Sequence, residues 1–133
     1  MTHNLNIAIC IGAQKAGTTW LYKCLEEHPD IHVSPEKEPH FFSHKYDQHQ
    51  LPEYLKLLQA ENYAAPISFE SSVSYLSHPN APKRIKAEFP DAKLIIILRN
   101  QIDRTISHLK HLHAKGKEHP HSLYDAMRHY PEL

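Results

Sequence analysis

Glycine is scarce in this 133-residue chain: there are three, and two of them, Gly12 and Gly17, fall in one short run. A glycine-rich flexible tether between domains is therefore excluded. Cysteine is scarcer still. Cys10 and Cys24 have no CxxC partner, which excludes a disulfide scaffold and a cysteine-rich zinc site. Two buried free thiols in a reducing compartment are the expectation. Charge of either sign is not in excess, with 15 basic and 15 acidic side chains. That removes any bulk pull toward nucleic acid or an anionic membrane. No apolar run approaches the ~20 residues needed to cross a bilayer. Met1-Thr2-His3-Asn4 leads straight into an apolar segment, without the basic and long apolar regions of a secretory signal. Together these absences predict a soluble, cytoplasmic protein with no nucleic-acid or membrane partner. The length suits one domain with a real core, and no internal repeat interrupts it.

Histidine, by contrast, is abundant, with 13 scattered along the chain. Most read as solvated or loop residues. His108, His111 and His113 cluster in a helical stretch, and His108 and His111 can share a face. No carboxylate or cysteine joins them at ligand spacing, so no metal site is expected.

Hydrophobic patterning gives the order of elements. Residues 5–11 read as a buried strand, 12–17 as a loop and 18–28 as a helix ended by His28-Pro29-Asp30. A short strand is expected at 31–34. Pro39 disfavours helical geometry at Glu38, so 35–42 reads as an extended loop. Leu51, Tyr54, Leu55 and Leu58 define one face of a helix, with Pro52 acceptable in its first turn. Residues 67–70 read as a strand, and 71–76 as a polar loop. A helix follows over 81–89, with Asn80 or Ser77 as its cap. Lys93-Leu94-Ile95-Ile96-Ile97-Leu98-Arg99 is apolar through its middle, as expected of a central parallel strand covered on both faces. A helix should run from 102 to 115, closed by Gly116, and another from Ser122 to Tyr130. Strands alternating with helices indicate an α/β fold with a central parallel sheet flanked by helices.

The loop Gly12-Ala13-Gln14-Lys15-Ala16-Gly17-Thr18-Thr19-Trp20 joins the first strand to the first helix. That geometry turns backbone N–H groups and the positive end of a helix dipole toward an anion. The glycine spacing resembles the phosphate loop of nucleotide hydrolases, but the lysine lies inside the loop and Thr18, not lysine, follows Gly17. A lysine inside the loop sits over a compact anion such as one phosphate carrying a sulfate. Arg99 and Ser107 put a cation and a hydroxyl at the carboxyl end of the long apolar strand, where ligands of open α/β sheets bind.

Three runs, taken together, resemble the sulfotransferase family, most nearly the branch with the heparan sulfate sulfotransferase domains and their bacterial relatives. They are the run from Ile11 to Tyr22, then Lys37-Glu38-Pro39-His40-Phe41-Phe42, then the run from Lys93 to His108. The resemblance implies a sulfuryl transfer from 3′-phosphoadenylyl sulfate (PAPS) to a hydroxyl or amine of a small-molecule or carbohydrate acceptor, without a metal. It places Lys15, Ala16, Gly17, Thr18, Thr19 and Trp20 at the 5′-phosphosulfate and Arg99 and Ser107 at the 3′-phosphate. It makes Lys15 the group that stabilises the leaving phosphate and Glu38 the general base, with Glu36 its neighbouring competitor and His40 a helper or a packing residue. Tyr75 and Trp20 read as packing residues.

The resemblance departs at Ser71, where the heparan enzymes usually carry a lysine, and this argues against a heparan-like polysaccharide acceptor. Family members also run well past this length, so residues 1–133 are expected to be the N-terminal, cofactor-binding portion of a domain truncated at its C-terminus. The alternatives are a non-catalytic module that binds PAPS or its product, and a P-loop nucleotide kinase.

Overall fold

The computed structural model describes residues 5–59 and 66–116 together with Asp125 and Arg128. Four strands form one parallel sheet: β1 (Ile7–Gly12), β2 (Ile31–Val33), β3 (Ile67–Ser71) and β4 (Lys93–Ile96), in the order β2-β3-β1-β4. The helices are α1 (Thr18–Glu26), α2 (Leu51–Leu58), α3 (Ala81–Glu88) and α4 (Gln101–Ala114). The α/β class and the parallel sheet read from the sequence are those of the structure. Of the 122–130 helix, only Asp125 and Arg128 fall within the described residues, and both are helical.

β1 is the hub because its alternation serves two cores. Ile7, Ile9 and Ile11 point into a cluster with Phe41, Phe42, Tyr54, Leu58, Tyr75, Ile85 and Phe89. Cys10 points the other way, toward Tyr22 of α1 and Phe69 of β3. A strand buried on both faces loses no polar group to the interior when its backbone is paired on both edges, as β1 is by β3 and β4. Each isoleucine so buried contributes about 1.5–3 kcal/mol. Leu51, Tyr54 and Leu58 are buried on α2, with Leu55 half-buried beside them, as the helical spacing requires. Tyr54 stacks on Phe41 at 4.3 Å, which fixes the chain after the Glu38 loop against this helix.

Several expectations change. The Lys93–Arg99 run is not a covered central strand. β4 ends at Ile96 and lies at the edge of the described sheet, with Leu94, Ile96 and Leu98 substantially exposed. Its pairing with β1 shifts between Cys10 and Gly12, and Ile97 then bonds the loop: its N–H donates to Gly12 and its carbonyl accepts from Ala13. The 71–76 run, read as a polar loop, is folded against the core, and Tyr75 packs there as expected. Ser71, Ser72 and Tyr75 are buried, and Val73–Tyr75 form a 3₁₀ turn. Cys10 is buried, but Cys24 lies on the outer face of α1 and is exposed. Trp20 does not pack: it is 71% exposed. Asn80 occupies the N-cap position of α3 without a side-chain cap bond, whereas Asn100 caps α4 by accepting from the N–H groups of Ile102 and Asp103.

Candidate functional site

The loop between β1 and α1 follows from its two glycines. Gly12 has φ +149° and Gly17 has φ +108°, a region that favours glycine. At Gly12 there is a second reason, since a Cβ would stand 3.1 Å from the Leu76 side chain. Lys15 also has a left-handed backbone, with φ 64°. Gly17 is the N-cap of α1 and makes no side-chain cap bond. The first-turn N–H groups of α1 have no intrahelical partner, so they are available to an anion.

Around this loop lies a cleft of about 550 Å³. Lys15, Gly17, Thr18 and Thr19 line it from the loop and α1, and Arg99 and Ser107 from the far end of β4 and from α4. Glu38 lines it from the chain that follows β2. Ala16 and Trp20 are not among the lining residues. Arg99 also touches the loop, donating from Nη1 to the Lys15 carbonyl at 3.3 Å. Among the described residues Arg99 forms no ion pair with Asp103, whose backbone N–H donates to the Asn100 side chain that caps α4.

Lys37, His111 and Lys115, which were not site candidates from the sequence, also line the cleft, as do Gln14 and Val73. Ser107 and His111 on α4 and Lys115 at its C-cap stand four apart, so one helical face supplies all three. That periodicity was available in the sequence. The same geometry separates His108 from His111: His108 is buried while His111 faces the cleft. Among the described residues no group of three or more His, Cys, Asp or Glu is placed to hold a metal.

The cleft wall holds Lys15, Lys37, Arg99 and Lys115 against the single carboxylate of Glu38. Such a surface favours a multiply charged anion. Burial lowers the Lys15 pKa from its ordinary value, the Lys115 and Lys37 ammonium groups lower it further, and Glu38 opposes them. An added anion therefore relieves a local surplus of positive charge.

Glu38 sits at a strained turn. Glu38 and His40 have φ 61° and 56°, uncommon for residues with a side chain. The turn is held from below, where the Glu38 N–H donates to the Ser71 carbonyl at 3.0 Å. The Glu38 carboxylate lies between Lys37 Nζ at 3.1 Å and His40 Nε2 at 3.4 Å. His40 Nδ1 is 2.8 Å from Ser74 Oγ. Burial lowers the His40 pKa, with Glu38 pulling the other way. Glu36 instead pairs outward with Lys45 at 3.2 Å. Ser71 does not reach the cleft; its side chain is fully buried and its hydroxyl has no hydrogen-bond partner among the described residues.

A sulfotransferase domain model matches residues 6–130. The chain belongs to the sulfotransferase family. It is 36% identical over 100 residues to human heparan sulfate glucosamine 3-O-sulfotransferase 6, a match covering 75% of this chain and 28% of that protein. It is 36% identical over 113 residues to human bifunctional heparan sulfate N-deacetylase/N-sulfotransferase 1, covering 80% of this chain and 13% of that one. Among solved structures, a sulfotransferase from Alicyclobacillus acidocaldarius superposes with a TM-score of 0.80 at 31% identity. That superposition covers 98% of this chain and 58% of the other. This sulfotransferase chain thus spans about a quarter or less of the curated relatives and just over half of the bacterial structure.

Proposed function

We propose that the chain is the nucleotide-binding portion of a sulfotransferase that moves a sulfuryl group from PAPS to a hydroxyl or amine acceptor. The observation that carries this reading is the convergence, in one cleft, of a loop lysine with a helix N-terminus at one end and an arginine with a serine at the other. The residues fit the donor. Its 5′-phosphosulfate matches Lys15 and the N–H groups opened by Gly17, Thr18 and Thr19, and its 3′-phosphate matches the planar donors of Arg99 and the Ser107 hydroxyl. Ala16 shapes the loop through its backbone, and Trp20 flanks it from the exposed side of α1. When bound, PAPS supplies the activated sulfuryl group.

The chain's own residues do the rest. Glu38 accepts the acceptor's proton as the acceptor attacks, and Lys37 and His40 hold that carboxylate over the cleft. Lys15 stabilises negative charge growing on the phosphate that leaves. No step calls for a metal. The acceptor is a carbohydrate or another small molecule, and the named activities of the relatives favour carbohydrate. Cys10 and Cys24 are both unpaired thiols, and we place the protein in a reducing, cytoplasmic setting.

The test is transfer of labelled sulfate from PAPS to a panel of sugars, alcohols, phenols and amines. Transfer that disappears in Lys15→Ala supports the reading. Nucleotide binding with no transfer to any acceptor leaves a non-catalytic binding module. Magnesium-dependent turnover of ATP instead points to the kinase alternative.

A further inference from the structure

Behind the cleft lies a buried carboxyl that the mechanism above does not use. Glu70, near the end of β3, is fully buried. It collects hydroxyl groups: Tyr54 donates to Oε1 at 3.0 Å and Ser72 donates to Oε2 at 2.9 Å, while the buried Tyr75 hydroxyl lies close enough to favour the charged form of the same carboxyl. Two of these hydroxyls also face the Glu38 loop. The His40 N–H donates to Ser72 Oγ at 3.0 Å, and the Phe42 N–H donates to the Tyr75 hydroxyl at 3.3 Å.

A hydroxyl has one proton and two lone pairs. A carboxylate that takes the protons of Ser72 and Tyr75 leaves their lone pairs turned toward the loop amides. Without that acceptor, each hydroxyl is free to rotate its proton toward the loop, where it would oppose an N–H. The loop bound in this way carries Glu38 and His40 in left-handed geometry, which persists only where the surroundings enforce it.

We propose that Glu70 is a positioning residue: it orients the Ser72 and Tyr75 hydroxyls so that they anchor the backbone of His40 and Phe42 and thereby fix Glu38 over the cleft. The inference rests on the reading of Glu38 as the general base, but its anchoring half does not need catalysis to be tested. Tyr54 supplies the control. It donates to the same carboxyl, yet its hydroxyl makes no bond to the loop, and Tyr54→Phe keeps the stacked ring.

The experiment is amide hydrogen exchange on the full chain as wild type, Glu70→Gln, Glu70→Ala and Tyr54→Phe, at about pH 8. In both Glu70 variants the His40 and Phe42 amides should exchange at least about 10-fold faster, the cost of roughly one lost hydrogen bond. The Ile9 amide of β1 and the Phe69 amide of β3, both inside the sheet, should not accelerate in Glu70→Gln, and Tyr54→Phe should leave the loop amides protected. Equal acceleration at loop and sheet, acceleration in Tyr54→Phe as well, or none in a folded Glu70→Gln overturns the proposal. If Glu70→Ala fails to fold, Glu70→Gln decides, because it preserves volume while replacing one acceptor oxygen by a donor amide. In the transfer assay, the Glu70 variants should lose about 10-fold in kcat with the KM for PAPS nearly unchanged. A wild-type chain that transfers no sulfate counts against the functional reading, while the exchange result still decides the anchoring.

Discussion

Replacing Glu70 by glutamine also changes how stability depends on pH, and the size of the change follows from the burial. A carboxyl with an ordinary pKa of 4.5 is pushed up to about 7 here, because desolvation outweighs the hydroxyl donors of Ser72, Tyr75 and Tyr54. The nearby Glu38 carboxylate adds to the rise. Between these two values the native protein holds a proton that the unfolded chain has released. The stability contributed by this group is therefore complete below about pH 4.5 and is lost as pH rises through about 7. At roughly 1.4 kcal/mol per pH unit, the loss is about 3 kcal/mol. Glutamine does not titrate, and its altered hydrogen bonds cost about 1 kcal/mol at every pH. Glu70→Gln should thus be less stable than wild type at about pH 4.5 and more stable by about 2 kcal/mol at about pH 8, crossing over between about pH 5 and 6. Urea unfolding of both proteins across this range measures the gap directly, since titrating groups not coupled to Glu70 cancel in the difference. A gap that stays constant with pH would show that Glu70 titrates as if in water, and would refute the reasoning.

The other predictions concern the loop and the base. Glu38→Gln removes the proton acceptor while keeping the shape, so kcat should fall by about 10²–10⁴-fold with little change in affinity for adenosine 3′,5′-bisphosphate, measured by steady-state kinetics and calorimetry. Lys15→Ala should lower transfer by about 10²–10³-fold, more than it weakens nucleotide binding, because its charge matters most as the phosphate leaves. Gly12→Ala combines positive φ with a Cβ at 3.1 Å from Leu76 and should cost about 1–3 kcal/mol, read as a lower Tm; an unchanged Tm would mean that the loop relaxes without strain.

The loop was legible because its chemistry is local. Two glycines at fixed spacing, an apolar run before and a helical run after state the strand–loop–helix geometry in one stretch. The α2 face was legible for the same reason, at Leu51, Tyr54 and Leu58. What escaped depends on partners distant in sequence. Ser71 and Ser72 lie in a run that reads as a polar loop, yet both are buried, with the Ser72 hydroxyl satisfied by Glu70 and the His40 backbone. The apolar character of Leu94, Ile96 and Leu98 states a need for burial but not what meets it, and in the described residues β4 is an edge strand. His111 and Lys115 stand at the spacing of Ser107, so helical periodicity alone states the face they share with it. Trp20 shows the converse: aromatic type suggested packing, and helical phase put it outside.

The central claim is that the cleft reads phosphate at both ends of a nucleotide, and calorimetry with adenosine 3′,5′-bisphosphate and AMP tests it most directly. Arg99 and Ser107 offer the 3′-phosphate a charged fork and a hydroxyl, worth about 1.5–3 kcal/mol, so the bisphosphate should bind about 10- to 150-fold more tightly. In Arg99→Ala most of that preference should vanish, while the affinity for AMP falls only modestly through the lost bond to the Lys15 carbonyl. Equal affinity of the wild-type chain for the two nucleotides would contradict the claim.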